Sequence, residues 1–225
     1  MNKVLVANRG AIARRVIRAC NELGLESVAV YSEADIGAPY LAEASQTYAL
    51  AGHSATETYL NQERLLDVLK HSGAQGVHPG YGFLSESADF ARAVQGAGKI
   101  FIGPAPEWLE RMGDKVAARA LMSQEGFPTF SGSDLITGIK QAKETAELIG
   151  YPVLVKPTGG GGGMGMERVE GPEALEHAIA RSRTIATSAF ASDGIYLEKW
   201  IEQPRHIEFQ IIADNNGRSA HVFER

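Results

Sequence analysis

Five consecutive glycines, Gly159 to Gly163, constrain this chain more than any other stretch. Each glycine loses more backbone entropy on ordering than any other residue, so the run favours neither helix nor strand. It is flanked by Tyr-Pro-Val-Leu-Val-Lys-Pro-Thr over residues 151–158 and by Met-Gly-Met over residues 164–166. Val153, Leu154 and Val155 read as a short buried strand that Lys156 ends as the chain leaves the core, and residues 166–169 read as a second strand. Successive N–H groups without Cβ atoms can converge on one anion, so glycines beside a lysine form a phosphate cradle. A flexible linker with a solvated lysine is the plainer alternative, although such linkers mix Gly with Ser and lie between domains. A Walker A loop is excluded, because Lys156 precedes the glycines and a strand follows them. A G-x-G-x-x-G match inside a glycine homopolymer carries no information. What remains is a strand, a glycine hairpin and a strand: a flap able to close over a nucleotide.

The first hundred residues alternate between two periods. Residues 3–7 read as a strand, Asn8-Arg9-Gly10 turns, and Ile12, Val16, Ala19, Cys20 and Leu23 fall at helical spacing before Gly24 stops the helix. The pattern repeats as strand 26–31, strand 46–51, helix 61–72 with Asn61 as N-cap, strand 76–78, a helix through Phe90, Ala91 and Val94, and strand 100–102. Such alternation predicts an α/β fold with a doubly wound parallel sheet, whose ligands lie at the carboxyl ends of the strands. Residues 8–13, Asn-Arg-Gly-Ala-Ile-Ala, lack the three-glycine dinucleotide fingerprint, so NAD is not expected. His78-Pro-Gly-Tyr-Gly-Phe-Leu-Ser-Glu86 follows a strand and must form a tight irregular loop, read either as a turn anchored by Phe83 and Leu84 or as part of a functional edge.

The remainder reads as two linker helices, then an α+β unit. Lys115, in Met-Gly-Asp-Lys, falls in the first turn of the second linker helix, where a cation opposes the helix dipole unless it faces a phosphate or simply solvent. Helix 138–149 is stopped by Gly150-Tyr-Pro152; the flap, helix 173–186 and strand 195–199 follow. Residues 205–213 alternate, so Ile207, Phe209 and Ile211 are expected on a core face and His206, Glu208 and Gln210 on the other, before a turn at 215–217 into strand 219–223.

Composition removes whole classes of function. A chain of 225 residues, 44% hydrophobic, can bury the core of one or two domains. With 22 basic against 27 acidic residues its net charge is -5, which argues against a nucleic-acid partner held by a basic face. No apolar run approaches the roughly 20 residues that span a bilayer. Strand 3–7 begins too soon after Met1 for a signal or transit peptide, so a cytoplasmic location is expected. Cys20 is the only cysteine, which excludes an internal disulfide and a cysteine-based zinc site and leaves it a core-packing role. The histidines show no H-E-x-x-H spacing, so no metal ligands are expected among these residues.

Residues 151–165 resemble the phosphate loop shared by biotin carboxylases and carbamoyl-phosphate synthetases, within the ATP-grasp superfamily. The loop at 78–86 narrows this, since it resembles biotin carboxylases and is not general among the synthetases. Residues 8–13 resemble the Asn-Arg-Gly-Glu-Ile-Ala opening of the same family, with Ala11 in place of glutamate. Met164 likewise stands where a lysine or arginine commonly follows the glycines. The resemblance runs from Val4 to Arg225 and implies a Rossmann-like N-terminal domain over 1–103, a helical linker over 104–128, an ATP-grasp lid over 129–199, and the first strands of the central domain over 200–225. It implies ATP contacts from Lys115, Lys156, Gly162, Gly163, Glu198, Lys199, Trp200, Ile201 and His206, with Glu198 accepting from the adenine amino group and Tyr81 and Gly82 as substrate neighbours.

For function, the resemblance implies carboxylation of carrier-bound biotin with ATP, magnesium and bicarbonate. Partners would be a biotin carboxyl carrier protein or domain and a carboxyltransferase, with a homo-oligomer at full length. No catalytic or metal-holding residue of the family falls within these residues. The magnesium-holding glutamates, the bicarbonate-handling basic cluster and the biotin-orienting arginine all follow the segment matched by 221–225, so the isolated chain is expected to be inactive. Other ATP-grasp ligases, such as a carbamoyl-phosphate synthetase half, and a non-catalytic nucleotide-binding module remain as alternatives.

Overall fold

Both faces of the opening strand β1 (Lys3–Val6) are covered: Val4 and Val6 join a cluster with Ala13, Val16, Ile17 and Cys20, and Leu5 joins another with Val28, Leu65, Val77 and Phe90. A strand apolar on both sides belongs in the middle of a parallel sheet. In the computed structural model, which describes all residues except 160–162, 191–192 and 215, β1 holds that place. The sheet is parallel throughout, in the order β3-β2-β1-β4-β5, with β2 (Glu26–Tyr31), β3 (Gln46–Ala49), β4 (Gly76–His78) and β5 (Ile100–Phe101). Helix α1 (Gly10–Glu22) covers one face through Ala13, Val16, Ile17 and Cys20. Leu23, expected on the apolar stripe, is instead the C-cap and 73% exposed, because Gly24 at φ +68° turns the chain there.

Helices α2 (Gln62–His71) and α3 (Ala88–Gly96) contribute Leu65, Val68, Leu69, Phe90, Ala91 and Val94 to the cluster on the other face. Each has a side-chain cap: Asn61 accepts from the Arg64 N–H at 3.1 Å, and Ser87 from the Phe90 N–H at 3.2 Å. Helices α4 (Pro106–Gly113) and α5 (Lys115–Gln124) follow. The chain divides into compact units Met1–Leu121 and Met122–Arg225. No helix among the described residues is long and apolar enough to cross a membrane.

The second unit carries α6 (Ile139–Ile149), β6 (Val153–Pro157), β7 (Glu167–Val169), α7 (Pro172–Phe190) and β8 (Ile195–Lys199), with the strands antiparallel in the order β7-β6-β8. Here β6 runs beyond Lys156 to Pro157, and α7 extends past residue 186. Thr158 N–H donates to the Gly194 carbonyl on the β8 side at 2.9 Å, so the neighbouring Pro157 nitrogen faces the β7 side. There β7 pairs only as far as Val155, so a proline without an N–H loses nothing.

The last strands, β9 (Phe209–Ala213) and β10 (Ser219–Glu224), form an antiparallel hairpin in which every described residue is exposed. The expected core face is therefore solvent-facing here, with Ile207, Phe209 and Ile211 at 52%, 59% and 57% exposure. A two-stranded hairpin has no second layer of its own to cover either face.

A buried carboxylate fixes the carboxyl end of the first sheet. Asp35, 6% exposed, accepts from Arg9 Nε at 2.6 Å, from the Tyr59 hydroxyl and from Ser32 Oγ at 3.2 Å. The Arg9 guanidinium, together with the Tyr59 and Ser32 hydroxyls, holds the Asp35 carboxyl below its ordinary range against the opposing effect of burial. A group with a depressed folded pKa contributes stability that is complete above its unfolded value, about 3.9, and is lost as pH falls through the folded one. Asp35→Asn keeps the shape and removes the charge, so it should cost about 1.5–3 kcal/mol at neutral pH. In urea unfolding the variant should also show a flatter loss of stability below about pH 4 than the parent. Superimposable curves for the two proteins at both neutral and acid pH would show that the carboxylate contributes nothing.

Candidate functional site

In the second unit the β6–β8 register sorts side chains between two faces. Val153, Val155, Ile195 and Leu197 enter the core with Ala142, Ala146, Leu175 and Ala178. Lys156, paired with Tyr196, and Glu198, paired with Leu154, lie on the opposite face. Lys156 Nζ donates to Glu198 Oε2 at 2.7 Å and sits 5.5 Å from the centre of the Tyr196 ring, with the Lys156 and Glu198 side chains 20% and 25% exposed. An ammonium carries three donors, so this one contact orients the group and leaves it able to meet a second anion. The face therefore presents a fixed cation beside a carboxylate with a further acceptor oxygen, packed over the Tyr196 ring, which is itself 1% exposed.

The glycine flap opens from the end of β6. Gly162 lies outside the described residues. Gly163 has φ +79° and its carbonyl accepts from the Met166 N–H at 3.2 Å, which turns the chain back toward β7. Gly165, φ +75°, would bring a Cβ within 3.0 Å of Pro157 and 3.2 Å of Ile185, so only glycine fits the return. Its carbonyl accepts from Ser182 Oγ at 2.7 Å, which ties the stem of the flap to α7. Nothing local in the sequence marks Ser182, a buried helical serine whose hydrogen bond spans 17 residues.

Lys199, the last residue of β8, and the segment after it carry the remaining residues expected at the nucleotide. Lys199 Nζ donates to the Gly150 and Tyr151 carbonyls at 2.8 and 3.2 Å and so caps α6 instead of joining Lys156. Trp200 N–H reaches the Pro152 carbonyl at 3.2 Å, and its indole lies 4.8 Å from the Arg168 guanidinium with Nε1 buried and unpartnered. Ile201 is half-buried. His206 is exposed, 3.3 Å from Glu208. Among the described residues no three His, Cys, Asp or Glu side chains converge on a metal position.

The first unit has its own crevice, about 320 Å³, at the carboxyl ends of β1 and β4 and lined by residues 8–12 and 81–83. The strand order reverses there, since β2 and β3 lie to one side of β1 and β4 and β5 to the other, which makes it the switch point of an open α/β sheet. Asn8, 2% exposed, donates through Nδ2 to the Pro79 and Tyr81 carbonyls at 2.7 and 2.8 Å and accepts from the Arg9 N–H at 2.9 Å. Tyr81 is 68% exposed and Gly82 has φ +69°, so the loop offers an aromatic ring and open backbone to the crevice. Burial holds His78 below the ordinary imidazole range, and its Nδ1 accepts from the Gly80 N–H at 3.0 Å. Lys115, half-buried, opens α5, in whose first turn the Val116 and Ala117 N–H groups donate to Asp114 Oδ1 at 2.9 and 3.1 Å.

Comparison with known proteins matches both halves of this description. Residues 1–109 match the biotin carboxylase N-terminal domain, and residues 114–225 match the ATP-binding domain of the carbamoyl-phosphate synthase L chain. The biotin carboxylase of Allochromatium vinosum is 46% identical over 100% of this chain and 51% of its own length. The biotin carboxylase domain dimer of Hydrogenobacter thermophilus 2-oxoglutarate carboxylase, solved with MgADP, ADP and bicarbonate, is 44% identical with a TM-score of 0.95 over 99% of this chain and 49% of that one. Campylobacter jejuni biotin carboxylase, solved as a β,γ-ATP complex, is 40% identical with a TM-score of 0.96 over 99% and 50%. The chain thus spans about half the length of the biotin carboxylases it matches. With both parts matched and 46% identity along its whole length, the chain belongs to the biotin carboxylase family.

Proposed function

We propose that this chain is the ATP-binding N-terminal portion of a biotin carboxylase, an ATP-dependent ligase that activates bicarbonate as carboxyphosphate and moves the carboxyl group to N1 of biotin on a carrier protein. The observation that carries the reading is the partly exposed Lys156–Glu198 pair on the face of β6 and β8 opposite the core, beside the root of the glycine flap. Phosphoryl transfer of this kind is mostly positioning and charge stabilisation, which suits lysines and backbone amides. In this reading Lys156, Lys115 and the amides of Gly162 and Gly163 receive phosphate oxygens. Glu198 takes the adenine amino group through the acceptor capacity that Lys156 leaves, the backbone of Lys199, Trp200 and Ile201 lines the ring, and His206 contacts the nucleotide. Tyr81 and Gly82 border the carboxyl acceptor.

Magnesium is held by oxygen ligands and by substrate phosphates; in this reading its protein ligands belong to the part of the family's length that this chain does not span. Carrier protein, carboxyltransferase and a second copy are the partners, in the cytoplasm. The match of residues 114–225 to a carbamoyl-phosphate synthase domain supports a second reading, an ammonia-dependent ATP-grasp ligase. Biotin-independent, ammonia-stimulated ADP formation would select it.

In the full-length protein each phosphate-facing lysine makes a charge-assisted contact worth about 1.5–3 kcal/mol. Lys156→Ala should therefore weaken ATP or slow turnover at least about tenfold; parental affinity and rate in this variant would remove the lysine from the site. Hydrogen exchange supplies a measurement independent of turnover. Amides of residues 159–165 should exchange freely without nucleotide and slow when ATP is added, and indifference to ATP would return the stretch to a linker. Residues 1–225 alone, given magnesium, ATP, bicarbonate and free biotin, should release no more ADP than a blank; biotin-stimulated release would place the missing catalytic groups inside this chain.

A further inference from the structure

The crevice in the first unit depends on a residue that the proposed chemistry does not touch. Phe83, which closes the crevice on one side, stacks on Tyr59 with ring centroids 5.2 Å apart and planes within 19°. Phe83 also has φ +44°, a left-handed backbone that a bulky residue keeps only where its surroundings hold it. Tyr59 is 3% exposed, and its hydroxyl is fixed twice: it donates to Asp35 and accepts from the Ser32 N–H at 2.8 Å. Asp35 in turn holds Arg9, whose side chain lines the same crevice and lies 6.0 Å from the Tyr59 ring. One tyrosine thus carries the loop on its face and is anchored at its hydroxyl by the buried carboxylate.

We propose that Tyr59 is a positioning residue for the carboxyl-acceptor side of the reaction. Through Phe83 it sets the pose of the Tyr81–Gly82 turn, while the nucleotide contacts proposed above are independent of it. Asn8 holds the Pro79 and Tyr81 carbonyls at the near end of the loop, and the stack on Tyr59 holds the far end, so the turn between them is clamped at both ends. This rests on the reading that Tyr81 and Gly82 border the acceptor, and it names what fixes them.

The test uses the full-length protein and two variants. Tyr59→Leu removes the stack; Asp35→Asn leaves the ring and removes the charged acceptor that anchors it. In Tyr59→Leu, amides of residues 79–87 should exchange at least about fivefold faster, as expected when a local closing interaction is lost. KM for biotin should rise at least about fivefold while KM for ATP stays within about twofold, because a displaced positioning group costs the substrate it positions. Asp35→Asn should move both readouts the same way by about twofold, which keeps the proposal testable if Tyr59→Leu does not fold. Loop exchange unchanged in a folded variant, or biotin and ATP KM rising together, would overturn the proposal. If the parent protein shows no biotin-dependent turnover, the functional reading fails by itself, and the exchange measurement still decides whether Tyr59 holds the loop.

Discussion

The antiparallel register of β6 on β8 governs the second unit. Side chains alternate along a strand, so slipping β6 by one residue would drive Lys156 into the space of Val155 and expose the valines that meet α6 and α7. An unpaired ammonium in that apolar layer would be prohibitive, and the register is therefore strongly specified by burial alone. The same alternation that builds the core delivers the cation, the carboxylate and the Tyr196 ring to the other face. The site comes from the packing at no additional structural cost.

In the first unit the corresponding constraint is a reversal of strand order. The chain lays β2 and β3 to one side of β1, then returns to place β4 on the other, so the segments leaving β1 and β4 diverge and leave a crevice between them. Two buried polar groups keep its walls in place. Asn8 ties the loop after β4 to the end of β1, and Asp35 draws Arg9 and Tyr59 together from the far side. Both are nearly inaccessible to water, and both have their polar atoms satisfied, which is the condition under which buried polar groups define a single geometry.

Much of the scaffold was legible because its strands and helices carry strong local periods and recognisable stops. The β2, β4 and β8 spans match the apolar runs, and Asn61 caps α2 as its position before the apolar stripe implied. What stayed hidden is non-local. Asp35 sits in a short 3-10 turn without periodicity, and its partners Arg9 and Tyr59 lie 26 and 24 residues away in sequence. The extension of β6 through Pro157 depends on which edge β7 leaves open, and this cannot be read from a proline alone. The alternation of residues 205–213 correctly marks an amphipathic strand, but alternation specifies only that two faces differ, not that anything covers one of them. Motif resemblance nominated Lys156 and Glu198 individually; their contact across 42 residues of sequence follows from register.

Gly80 has a consequence for how this protein tolerates genetic change. A methyl group there would come within 2.8 Å of the Asn8 amide nitrogen and 2.9 Å of Ile12, and the residue's φ of +69° already disfavours a side chain. Asn8 cannot retreat, since its amide is committed to two carbonyls of the same loop. Positions 8 and 80 are therefore epistatic partners. In a saturation scan both would be intolerant, and a substitution at one would be rescued only by a simultaneous change at the other that rebuilds the whole turn. Intolerance at these positions would look like that of a catalytic residue, although its origin is steric.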